Sequence, residues 1–311
     1  MKLKSSIALI VFACFSLVFA ASGCRMRSRA QRSEAKPAEA ATAGKAAEPQ
    51  AELSISAGDG ADVDLPEKEE VRRKFKLDTE PSIGVYNING SLTVETADTD
   101  TAEILIVRSA KKREDLENYR KVRIEQQRDN RLTVSIENDR KSLFSSLGSI
   151  PEGRQRVVLK IPRKINFDSY SISGNVTIGE ILGKVEFHDV NGLIKAARIG
   201  GVSEFGNING GIEATFAPLN GRGIQIYDVN GNVDLHFEGE VNADLDAWSV
   251  NGRLNPDLPD VQARNEEPRR GRLKARIGSG GAQIKVGDVN GNVNLVKAQK
   301  ASTSTAKAAG K

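Results

Sequence analysis

Three aspartates, Asp189, Asp228 and Asp288, recur at one position of a repeated pattern. If the repeats stack, their carboxylates fall in one column. Clustered carboxylates serve as general bases, as calcium ligands, or as the two working groups of a glycosidase. Asn207 and Ser249 occupy the same repeat position and space the charges apart. The structural reading therefore comes first: short acidic side chains accept hydrogen bonds from backbone amides at corners. Trp248 is the only Trp. Beside its corner it offers a platform for a sugar ring, or simply packs on a flanking strand. We group Asp189, Asp228, Asp288 and Trp248 as the expected ligand surface. The only histidines, His188 and His236, adjoin Phe187 and Phe237 at alternating positions that point to solvent. A metal site needs three or four convergent ligands, so none is expected there. Both cysteines, Cys14 and Cys24, lie in the first 24 residues. The remainder thus has no disulfide framework, Cys-ligated zinc or Cys nucleophile. Phosphate loops, nucleophile elbows and zinc motifs are missing from the sequence. The expectation is a protein without cofactor that is not an enzyme. The basic run Arg269, Arg270, Arg272, Lys274 and Arg276 could meet anionic groups on surface polymers, or form a solvated loop edge. A net charge of +4 is too small to imply nucleic acid.

The elements that position these residues follow from internal repetition. Seven segments centre on a β-branched aliphatic residue: Ile88, Ile172, Val190, Ile208, Val229, Val250 and Val289. Six are followed by Asn-Gly: Asn89-Gly90, Asn191-Gly192, Asn209-Gly210, Asn230-Gly231, Asn251-Gly252 and Asn290-Gly291. The seventh has Ser173-Gly174. From Ile172 the spacings are 18, 18, 21, 21 and then 39 residues. The last interval predicts a degenerate repeat or a loop, placed at 255–270. Apolar residues alternate on both sides of each centre, as in Val185/Phe187 and Ile194/Ala196. Period two predicts strands, and Asn-Gly, tolerant of positive φ, predicts the bend between them.

Registry decides what the bend is. A two-residue hairpin would set Asp189 against Ile194, Asp228 against Val233 and Asp288 against Val293, polar against apolar on one face. A corner that shifts the phase lets every apolar residue point inward. We therefore expect an all-β, parallel β-helix-like solenoid of about 18–21 residues per coil, with Asn side chains free to bond along the stack. Residues 71–170 alternate less regularly and are expected to cap its N-terminal end. Lys111–Arg120 is a short exposed helix or loop, and 141–155 a loop.

The first residues carry an address. Lys2 and Lys4 precede the apolar run 5–20, which is short for a spanning helix. Ala21-Ser22-Gly23-Cys24 resembles the bacterial lipoprotein cleavage box, although Ala21 stands where Leu is favoured. That resemblance implies a signal peptide over 1–23 and lipidation of Cys24. Residues 24–70 read as a lipidated start and disordered tether, 171–297 as the repeat, and 298–311 as a disordered tail.

The repeat region also resembles a bacterial envelope family of β-strand-repeat proteins, of unknown function and labelled adhesins on architecture. The residues that carry the likeness are Val85-Tyr86-Asn87-Ile88-Asn89-Gly90-Ser91-Leu92-Thr93-Val94, Val157-Val158-Leu159-Lys160-Ile161-Pro162, the serial Asn-Gly units, and Gly278-Ser279-Gly280-Gly281-Ala282. The resemblance implies a solenoid at the cell envelope and no catalytic residues. The expected role is a non-enzymatic lipoprotein, held to a membrane by its anchor, presenting a repetitive face to envelope polysaccharide or a surface protein. The alternatives are a carbohydrate-active enzyme using the Asp189/Asp228/Asp288 column, and an envelope-stress or assembly factor that docks a protein partner.

Overall fold

The computed structural model describes residues 65–118, 121–127, 130–137, 153–264 and 271–298, which lie in one compact unit, Ser56–Lys311. The stretch expected to be a signal peptide, Cys24, most of the expected tether, Arg269, Arg270 and residues from 299 onward fall outside the described residues.

The molecule is all-β, with one short helix among the described residues. Strand β9 (Val185–Asn191) shows how the sequence builds the repeat. Val185, Phe187 and Val190 are buried, while Glu186, His188 and Asp189 are not. The three-residue step from Phe187 to Val190 breaks the alternation at Asp189, whose φ is 56°. One left-handed residue returns the next aliphatic side chain to the core. Asn87, Ser171, Asn207, Asp228, Ser249 and Asp288 repeat this, with φ between 52° and 60°. The bend thus begins one residue before each aliphatic centre, not at the Asn-Gly pair. Asn and Asp tolerate this region best among residues with a Cβ.

The glycine of each pair meets a different demand, close approach of neighbouring backbones. A Cβ on Gly192 would lie 2.2 Å from the Gly174 carbonyl oxygen, and one on Gly210 equally close to that of Gly192. The asparagines join along the same edge. The Nδ2 of Asn209 donates to Asn191 (3.1 Å), that of Asn230 to Asn209 (3.0 Å), that of Asn290 to Asn230 (3.0 Å) and that of Asn251 to Asn290 (3.2 Å).

Two parallel stacks result. The first contains β7 (Asn166–Ser173), β9, β11 (Ser203–Ile208) and β13 (Ile224–Val229), paired in that order. The second contains β8 (Val176–Ile181), β10 (Ile194–Ile199), β12 (Ile212–Phe216) and β14 (Val233–Phe237). Strand β2 (Ser82–Ala97) runs through both, pairing with β7 and then with β8. Phe167, Phe187 and Phe205 stack at 5.6 and 5.9 Å in the core between them.

The sheet system is mixed. Strands β5 (Arg131–Glu137) and β6 (Gly153–Pro162) lie parallel beside the two halves of β2. Antiparallel strands finish that end: β4 (Lys121–Gln126) on β5, β3 (Thr101–Ala110) on β6, and β1 (Glu67–Lys76) on β3. Helix α1 (Arg113–Asn118) joins β3 to β4 within the stretch read as helix or loop. Arg108 holds it by donating to the Leu116 carbonyl and pairing with Glu69 at 2.9 Å.

The C-terminal third departs from sequence order. Strand β19 (Ala282–Val289) lies between β13 and β15 (Ala243–Val250). Strand β20 (Val293–Lys297) likewise lies between β14 and β16 (Leu254–Asp257). The last strand pair in sequence, β19 and β20, is therefore the penultimate pair in space. The 39-residue interval holds strands among its described residues, while 265–270 of the expected loop fall outside them. The chain forms the outer pair β15 and β16, passes through β17 (Val261–Ala263) and antiparallel β18 (Leu273–Ile277), which lies on the edge of β15, and returns between β13 and β15 as β19. Part of the expected 255–270 loop is thus strand. Pro256 pairs opposite Leu295 in β16, an outer strand of the second stack, where a missing N–H is tolerated.

Candidate functional site

The outer face of the first stack carries a side-chain column two residues before each aliphatic centre. In spatial order it reads Tyr86, Tyr170, His188, Gly206, Tyr227, Gly287 and Trp248. Tyr86 and Tyr170 stack with centroids 5.9 Å apart, Tyr170 and His188 at 4.8 Å. His188 and Tyr227 are 6.1 Å apart although Gly206 separates their strands. A Cβ at Gly206 would lie 2.5 Å from the Tyr227 ring, and one at Gly287 2.1 Å from the Trp248 ring. Tyr227 and Trp248 thus each lie over a glycine on the next strand. The result is a nearly continuous aromatic strip in which Tyr170 is 37% exposed.

A carboxylate column runs beside it: Asp168, Glu186 and Glu204 on successive strands. At the β2 end, Tyr86 Oη donates to Asp168 Oδ2 (2.5 Å), and Arg131 Nη2 reaches both Asp168 oxygens at 2.8 Å. Further along, Tyr227 Oη donates to Glu204 Oε1 (2.9 Å) and lies 3.2 Å from His188 Nδ1. Burial, and secondarily the Asp168 carboxylate, pushes the Tyr86 phenol up to about 12. Burial followed by the hydrogen bond to Glu204 does the same for Tyr227, also to about 12. Tyr170 is raised by burial and then by Glu186 and Asp168. Among the described residues, Glu186, His188 and Glu204 form a candidate metal-holding group, with one ligand atom from each within 4.8 Å of the others.

The residues singled out in the sequence fall in different places. Trp248 belongs to the aromatic strip. Asp189, Asp228 and Asp288 are exposed, left-handed corner residues one step beyond it. Asp189 Oδ1 accepts from Asn207 Nδ2 at 3.1 Å. Because β19 sits on β13, Asp228 and Asp288 are spatial neighbours, and no residue of the column separates them. His188 is not a free surface histidine: its side chain is 12% exposed and held in the cluster. His236 lies on the second stack opposite Thr215 and Val296. Lys274 pairs with Asp246 at 3.1 Å and Arg276 lies 3.9 Å from Asp244, so the basic run is partly neutralised. Tyr86, Tyr170, Tyr227 and the three carboxylates were missed in the sequence. Aligning the residue two before each centre exposes an aromatic-or-glycine column.

No protein-family model matches the chain, and no curated protein matches it. Among solved structures it is similar to a candidate cell-adhesion protein from Clostridium sporogenes, at 12% identity and TM-score 0.36 over 75% of this chain and 100% of that one. It is also similar to a candidate adhesin from Bacteroides fragilis, at 14% identity and TM-score 0.33 over 75% of this chain and 99% of that one. A candidate lipid-binding protein from Parabacteroides distasonis matches at 11% identity and TM-score 0.24, over 74% of this chain and 95% of that one.

Proposed function

We propose that this chain is a non-enzymatic envelope lipoprotein of the β-strand-repeat type, and that its first stack binds an extended envelope polysaccharide. In this reading the two stacks are the walls of a β-solenoid with coils of about 18–21 residues, capped by residues 71–170. Cys24 carries the lipid, residues 24–70 tether the solenoid to the membrane, and the corner Asn-Gly pairs keep the face flat. The observation that carries the reading is the in-register strip Tyr86, Tyr170, His188, Tyr227 and Trp248. Aromatic rings present flat apolar faces, to which the C–H face of a sugar ring is complementary. The adjoining Asp168, Glu186 and Glu204 are acceptors for sugar hydroxyls. Repetition along the stack suits a repetitive polymer better than a single small ligand.

The test is co-sedimentation of the full chain with cell-wall sacculi, outer-membrane vesicles and intact cells, beside Tyr170→Ala. Saturable binding to a polysaccharide-bearing fraction that weakens severalfold in the variant supports the reading. Binding that survives polysaccharide digestion but not protease makes the partner a surface protein. Equal binding by both chains rejects the strip.

A further inference from the structure

We propose that Glu186, His188 and Glu204 form a zinc site on the outer face of the first stack, independently of any polysaccharide. Parallel register sets Glu186 directly beside Glu204, and His188 two residues along β9 on the same face. One ligand atom from each lies within 4.8 Å of the others, and His188 Nε2 is 3.7 Å from Glu204 Oε1. Zinc bonds of about 2.0–2.2 Å in tetrahedral geometry need ligand atoms about 3.4 Å apart. Small rotations of two glutamate side chains provide that closure.

A second observation comes from Tyr227. Its hydroxyl has one proton, which it donates to Glu204 Oε1 at 2.9 Å. His188 Nδ1 lies 3.2 Å from the same hydroxyl, with the donor between them set by the imidazole tautomer. Coordination through Nε2 selects the tautomer with the proton on Nδ1, which the Tyr227 oxygen accepts. Tyr227 is then the outer partner that fixes the tautomer, as metal-ligating histidines commonly require. Gly206 makes this possible, because a side chain there would collide with the Tyr227 ring.

Imidazole with two carboxylates suits zinc better than calcium, which prefers six to eight oxygens. The fourth position is left to water. Lys184 Nζ, now 2.6 Å from Glu186 Oε1, must swing away on loading.

The experiment is titration calorimetry of the chelator-stripped full chain with zinc chloride alone. One zinc per chain is expected, with a rise in thermal midpoint as zinc is added. His188→Gln and Glu204→Gln should each weaken binding at least tenfold, and Tyr227→Phe about tenfold through the outer hydrogen bond. His236→Gln should leave it unchanged. Circular dichroism of each variant separates lost folding from lost binding. No stoichiometric uptake, equal affinity in folded His188→Gln, or tighter binding of calcium than of zinc would overturn the assignment.

Discussion

Tyr227 occupies the space that any side chain at Gly206 would need. The clash would be with ring carbons, at 2.5 Å, and the hydroxyl beyond them links Glu204 and His188. Glycine at this position therefore builds the strip from the strand beside the ring.

Gly206→Ala should displace that ring. We expect a loss of about 1–3 kcal/mol, the usual cost of overpacking. The phenol should also return toward its ordinary range once its hydrogen bond to Glu204 is broken. Urea unfolding and ultraviolet titration of the tyrosines measure the two effects.

Gly192→Ala should be worse. The added methyl would meet the Gly174 carbonyl at 2.2 Å, and that atom is backbone at the corner between β7 and β8. The coils must separate, so a cost of about 3 kcal/mol or more is expected. Gly221→Ala is the control. Its φ is 81° with nothing within 4 Å of the added carbon. Only the backbone preference is lost there, about 1 kcal/mol.

Alkaline stability carries a defined sign. Tyr86 and Tyr227 ionise near 12 in the folded chain, against 10.0 for an ordinary phenol. The unfolded chain therefore loses these protons first. Stability is complete below pH 10 and falls as pH rises through about 12. Urea midpoints across that window should decline, and Tyr86→Phe should flatten the decline. A flat profile for the unmodified chain would contradict the buried phenols.

The position of β19 predicts an exchange pattern. Asn290 N–H donates to the Val229 carbonyl at 2.8 Å, and Asn251 N–H donates to that of Val289 at 2.7 Å. Strand β19 is thus enclosed although it lies near the end of the sequence. Its amides should exchange as slowly as those of β13, and β16 should exchange faster. Rapid exchange over 284–289 would place the coils in chain order instead.

The repeat was legible because seven centres share both phase and chemistry. Alternation identified the strands, and the polar residue before each centre favoured a phase-shifting corner over a hairpin. Coil order was not legible. Val289 pairs with both Val229 and Val250, yet its local sequence is that of any other repeat. The Asn-Gly corners do not encode which neighbour a repeat takes; the fit of Trp248 over Gly287 distinguishes one, and it is visible only once β15 and β19 are paired. Pro256 obscured β16 because proline is scored against strands without knowledge of edges. The aspartates drew notice over the tyrosines because identical residues at one repeat position are easy to see. A column that alternates between ring and glycine is recognised only when the rings are seen to lie across the gaps.

The most direct test of the ligand face uses its own reporter. Trp248 is the only Trp, so its emission reads one point on the strip. Full-length chain should be titrated with polysaccharide released from the envelope fraction that it sediments with. We predict a saturable emission change whose midpoint matches the binding curve and shifts to higher concentration in Tyr170→Ala. Emission that stays constant while the polysaccharide binds would place the ligand on another face and contradict the proposed site.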